Sequence, residues 1–172
     1  LALLQVPNAV GFARLCSDCC PDAAAMAFEP LDKLLKRSGQ KRLVLEVAQI
    51  TVESARKVDS QNEDVRKAEA KALICGYAWV YQRIGQFDQA EQVAAESLRI
   101  GENLGWNRNT AFCLKCSGRL RRVRAEQESN GRTATKLLGE AVSIFSWRLN
   151  AFPRALSMAR HMRRLAIVTA CW

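Results

Sequence analysis

Histidine is almost missing from this chain, and its scarcity removes much ordinary catalytic machinery. His161 is the only one, so any Ser-His-acid or Cys-His mechanism must run through it. It stands among Arg160, Arg163 and Arg164, which reads as a cationic helix surface. Proline and glycine are scarce, at four and nine. No Ser- or Gly-rich stretch marks a linker, so residues 1–172 read as one domain. No Gly-rich phosphate loop occurs; Gly101 to Gly105 reads as a helix end. The longest apolar run, Ala23 to Phe28, is far below the roughly 20 residues that span a bilayer. Leu1-Ala2-Leu3-Leu4 is apolar but has no basic leader or cleavage site. An initiator Met is also lacking, so the chain is expected to be a fragment of something longer. From Ala141 onward there is no acidic residue and there are five arginines. That tail reads as a capping helix, a partner-binding helix, or a non-native end. Period-two alternation is scarce as well, which leaves little that looks like a strand.

Hydrophobic residues make up 49% of the sequence, enough for a continuous core. The formal charge is +9, which favours acidic peptides, nucleic acid or anionic lipid as partners and says nothing about fold. Seven cysteines cannot all pair internally, and a reducing cytoplasm is the simplest compartment. Cys16-x-x-Cys19 and Cys113-x-x-Cys116 have the spacing of zinc ligand pairs. The span between them is far too long for a zinc ribbon, and Cys113 and Cys116 are needed for helix packing. Neither a metal nor a cofactor is expected. The Cys16, Cys19 and Cys20 cluster is left without an assigned role. Paired carboxylates occur only on solvated faces, so no catalytic constellation emerges and the chain reads as a non-enzyme.

Helical spacing is plain. Ala70, Leu73, Ile74, Tyr77, Ala78, Tyr81 and Ile84 recur at intervals of three and four, one face of a helix. Asn62-Glu63-Asp64 starts it and Gly85 ends it. The next helix runs from about Phe87 to Leu104, with Ala90, Val93, Ala94, Ser97, Leu98 and Gly101 inward and Gly105 as its stop. Asn109 or Thr110 caps a third first-helix carrying Phe112, Cys113, Cys116, Leu120 and Val123. A polar loop from Glu126 to Gly131 leads to Ala134, Leu137, Leu138, Ala141, Val142 and Phe145. Earlier, Pro30 suits the first turn of a helix ending near Ser38. Its partner runs from Lys41 to about Val58, with Val44, Val47, Ala48, Thr51, Val52 and Ala55 inward. Residues 1–29 read as irregular, and 153–170 as a last helix.

Tyr81, Gly85, Phe87, Ala90, Ala94, Ser97 and Leu98 together resemble a tetratricopeptide repeat, a helix-turn-helix unit of 34 residues. The early Trp and central Gly of that family are replaced here by Ile74 and Ala78. Gly39, Val44, Ala48 and Thr51 align with Gly85, Ala90, Ala94 and Ser97. Gly118, Ala134, Leu138 and Ala141 give a weaker third copy, with Ala125 where a turn glycine belongs. The longer period is similar to the 40-residue variants in kinesin light chains and bacterial signalling regulators. The resemblance implies an all-α, right-handed antiparallel helix-pair solenoid. Its repeats would fall at about 30–58, 63–105 and 109–150, with the C-terminal helix beyond.

It further implies a concave groove lined by the first helix of each pair. The residues assigned to that groove are Lys33, Lys36 and Arg37, with Glu29; Trp79, Gln82 and Arg83, with Cys75; and Lys115, Arg119 and Arg122, with Phe112. The expected function is a protein–protein interaction scaffold that binds an acidic or C-terminal peptide, as the sensor part of a larger signalling protein. The alternative is nucleic-acid binding through the arginine-rich stretch 119–124. A homo-oligomer through the end helices stays open.

Overall fold

The computed structural model describes residues 6–37, 39–58, 61–127 and 131–151. Among these residues the chain is helical and forms no strand. The elements are α1 (Val6–Cys19), α2 (Pro21–Ala25), α3 (Phe28–Arg37), α4 (Lys41–Lys57), α5 (Glu63–Lys71), a π-helical segment (Ala72–Tyr77), α6 (Ala78–Arg83), α7 (Phe87–Asn103), α8 (Asn107–Gln127) and α9 (Gly131–Ala151). From α5 through the π segment to α6 the chain is one unbroken rod. The fold separates into two compact units, divided between Leu120 and Arg121 inside α8.

Three turns are built alike. Gly39, Gly85 and Gly105 each take a positive φ, at 70, 79 and 60°, a conformation glycine adopts without a Cβ penalty. The residue after each glycine donates back to the helix just ended: Gln40 to Leu35, Gln86 to Tyr81 and Trp106 to Gly101. This is the glycine-terminated stop that satisfies orphan carbonyls at a helix end.

The resemblance between successive pairs extends to their bounds. α4 and α7 begin and end 46 residues apart, Lys41 against Phe87 and Lys57 against Asn103. α3 and α6 end 46 residues apart, at Arg37 and Arg83. The Thr51 hydroxyl donates to the Ala24 carbonyl at 3.5 Å, and the Ser97 hydroxyl donates to Ala70 at 2.7 Å. Both donors and both acceptors therefore keep the 46-residue offset. The copies differ in their leading helices: α2 begins at Pro21, whose equivalent Lys67 lies inside α5. The first interrupts its leading helix at Met26 and Ala27, between α2 and α3. The equivalent position in the second is Ala72, where the π segment begins. A π turn holds an extra residue without breaking the rod.

The first unit has its core along these helices. Phe28, Leu35, Val44, Val47, Ala48, Val52, Ala70, Leu73, Val80 and Ile100 bury together, with Val10, Ala13 and Cys16 of α1. Gly76 faces this core: a Cβ there would press on Ala48 and come within 3.0 Å of the Phe28 ring. Glu69 is buried and clamped by Arg56 and Arg66, while Arg56 also reaches Glu96 at 2.7 Å. In the second unit, Arg121 pairs with Glu140 of α9 at 3.4 Å, and Ala141 is buried.

Several expectations are corrected. The segment 1–29, read as irregular, carries α1 and α2 and begins α3. Cys20, before α2, makes no side-chain cap. Asn109 and Thr110 are not caps, because α8 starts at Asn107 and both lie inside it, buried. Asn109 instead donates to the Ser97 carbonyl at 3.2 Å. Ile84, placed on the buried stripe, is 51% exposed, since the chain leaves the helix there into the turn. Leu138 and Val142 are exposed as well. α8 continues to Gln127, shortening the loop read from Glu126. The side chain of Phe145, the helix expected at 153–170 and His161 lie outside the described residues.

Candidate functional site

Of the expected groove residues, Lys36, Trp79 and Arg83 meet on a face built on the rod and on α3. Lys71, Cys75 and Trp79 follow one another at four-residue spacing, so they share one side of the rod. Trp79 is half-buried and packs its apolar body on the main core. The Lys36 ammonium lies over its ring at 5.3 Å from the centroid, and the Arg83 guanidinium at 5.0 Å. Lys36 comes from α3 and Arg83 from α6, so the ring joins two elements. Such cation–ring contacts contribute about 0.5–1 kcal/mol each at exposed sites. A second pair repeats the motif: Lys71 lies over the Trp106 ring at 5.8 Å.

Acidic residues temper this end of the face. Lys36 pairs with Asp32 at 2.6 Å, one turn away. That oxygen of Asp32 is buried without a hydrogen bond, so the contact is ionic and poorly aligned. Lys71 pairs with Glu29 of α3 at 2.6 Å. The i,i+4 relation of Asp32 and Lys36 was visible in the sequence. Nothing there revealed that Glu29 meets Lys71.

The remaining groove residues divide. Lys33 and Arg37 are exposed on α3, and Gln82 is half-buried on α6. Lys115 and Arg119 are exposed on α8, one turn apart. Among the described residues no carboxylate pairs with Lys33, Arg37, Arg83, Lys115 or Arg119. Arg122 belongs to the second unit, where it pairs with Glu126 at 3.3 Å. Phe112 is exposed on α8.

Thiols link the rod to α8. Cys113 is fully buried against Ile74, Ala78 and Ala94, and its sulfur meets the Ser97 hydroxyl at 3.2 Å. Burial pushes the Cys75 thiol up to about 11, against a smaller lowering by Lys36. Burial also pushes Cys116 up to about 12; Cys75 and Cys113 raise it further, while Lys115 and Arg119 lower it. Both thiols therefore stay protonated at neutral pH and act as core atoms. Cys75 and Cys116 both pack against the small cluster formed by Ile74, Ala78, Ala94 and Cys113.

The Arg119 to Arg124 stretch is less bare than its sequence. Arg121 and Arg122 are paired with carboxylates, and Arg124 also has a partner. Among the described residues no group of three or more Cys, His, Asp and Glu is arranged to hold a metal. Nor is any described helix long and apolar enough to cross a membrane. No family model, no curated protein and no solved structure matches the chain.

Proposed function

We propose that this chain is a tetratricopeptide-like interaction module that grips an acidic or C-terminal peptide segment on the face made by α3, α6 and the first part of α8. The 46-residue recurrence of bounds, turns and hydroxyl bonds supports a helix-pair solenoid. The observation that carries the binding reading is Trp79. Its half-buried ring lies beneath cations from two helices, with further unpaired cations along α3 and α8. A ring of this kind offers an apolar anchor, and arginines offer two-pronged contacts to carboxylates. The acids Glu29 and Asp32 would set where along the face a carboxylate is accepted, because like charges placed together are unfavourable.

The compartment that fits this reading is a reducing cytoplasm, and the module would act as the sensor part of a larger signalling protein. The test is fluorescence anisotropy with a labelled Asp/Glu-rich peptide and, separately, a single-stranded oligonucleotide, each at two salt concentrations. The peptide is expected to bind and the double variant Lys115→Glu/Arg119→Glu to abolish that binding. Unchanged peptide affinity in the variant sinks the reading. A preference for the oligonucleotide with a steep salt dependence replaces it with nucleic-acid binding.

A further inference from the structure

Helix α1 has a second side besides the one it buries. Val10, Ala13 and Cys16 enter the main core. Away from them, Asn8, Phe12, Leu15 and Cys19 follow at spacings of four, three and four, and all four are exposed. That alternation is the seam along which two helices pack. Among the described residues, Leu15 at 73% and Phe12 at 69% are the most exposed large apolar side chains. α1 rests chiefly on α2 and α4, whereas α4 is covered by α2, α3 and the rod.

Charge selects the occupant of this seam. Residues 1–28 hold one cation, Arg14, against Asp18 and Asp22, while the whole chain carries +9. The excess positive charge therefore lies wholly beyond them. An acidic peptide, a nucleic acid or an anionic lipid is drawn to that basic remainder, not to α1. Two copies of the chain repel each other through the same remainder and approach best through this end. We propose that the outward seam of α1 is a homodimer interface, closed by α1 of a second copy running antiparallel. With Leu15 near the two-fold axis, Phe12 of one copy meets Cys19 of the other. Arg14, 66% exposed, then faces Asp18 of the second copy, and the pair occurs twice because a two-fold interface is self-complementary. Arg14 also touches Glu46 of α4 in its own chain, and its five N–H donors suffice for both carboxylates. Asp18 is 87% exposed and its contact with Lys57 of α4 is long, at 3.7 Å, so its carboxylate is free to turn outward.

The test is sedimentation equilibrium of the full chain with a thiol reductant present, which excludes dimers made by disulfides. The mass is expected to rise from one chain to two with a Kd of about 10–100 μM, because the seam is shorter than a standard interface of about 1,600 Å². Phe12→Ser/Leu15→Ser is expected to stay monomeric, with helical circular dichroism unchanged because both side chains are exposed. Asp18→Arg is expected to weaken the dimer about 2–30-fold, and Arg14→Asp/Asp18→Arg to regain most of that loss. A parent chain that is monomeric up to about 1 mM, far above that Kd, overturns the proposal. So does a dimer that survives Phe12→Ser/Leu15→Ser, or a double swap no tighter than Asp18→Arg alone. A monomer that binds neutral lipid vesicles through Phe12 and Leu15 replaces the second copy with a membrane surface.

Discussion

At the residue scale the tightest constraint in the first unit is Gly76. It lets the π segment approach α4 at Ala48 and the Phe28 ring. An added methyl has no flexible neighbour to displace, since Ala48 has nothing to rotate. Gly76→Ala is therefore expected to destabilise the fold by about 1–3 kcal/mol, the usual cost of overpacking, measured by urea denaturation. This contact was not legible in the sequence, where Ala78 was given the central small position. The π turn explains the difference: it shifts which residue faces the neighbouring helix. Counting back from Gly85 assigns Trp79 to the groove side; in the structure its ring meets Lys36 and Arg83. Asn109 was misread for a physical reason. Asn suits caps, but here it is needed inside α8 as a buried donor to the Ser97 carbonyl.

At the element scale, glycine stops made the second-helix bounds readable. α4 was expected from Lys41 to about Val58 and is Lys41–Lys57; α7 was expected from Phe87 to Leu104 and is Phe87–Asn103. Where glycine is absent, at the corners around α2, the sequence looked irregular although the chain is helical. The hydroxyls of Thr51 and Ser97 tie each second helix to the carbonyl of a preceding first helix. The two are not equivalent in cost. Ser97 is also met by Asn109 and the Cys113 sulfur, so removing its hydroxyl disturbs a buried polar group. In thermal and urea melts, Thr51→Val is expected to cost about 1 kcal/mol or less, a single modest hydrogen bond. Ser97→Ala is expected to cost about 1–3 kcal/mol, nearer the value for leaving a buried partner unmet. The residue a further 46 positions on, Ser143 in α9, also carries a hydroxyl but is exposed, unlike the buried Thr51 and Ser97.

At the scale of the whole molecule, buried ionisable groups limit the alkaline range. Burial raises Cys75 to about 11, Cys116 to about 12 and Tyr77 to about 12. Each is ionised more easily when unfolded, so the unfolded chain binds fewer protons in that window. Stability is therefore fully retained below the ordinary thiol value of 9.0 and lost as pH rises toward 12. Thermal melts across that range are expected to show a steady fall in midpoint. Replacing Cys75 and Cys116 with Ala or Val should flatten the fall, whatever it does to the midpoint at neutral pH.

The positive charge is also a whole-molecule property, and the structure redistributes it. Lys36 and Lys71 are partly neutralised by Asp32 and Glu29, while Lys115 and Arg119 are not paired among the described residues. The composition announced a preference for anions, but it gave no means of telling paired from unpaired cations. The most direct test is a chemical-shift map of the isotope-labelled chain during titration with an Asp/Glu-rich peptide. The predicted result is a contiguous set of shifts at Lys36, Trp79, Arg83, Lys115 and Arg119, including the Trp79 indole N–H, with quiet outer faces on α4 and α7. Shifts confined to α1 and α2, or to the outer faces of α4 and α7, would contradict the account.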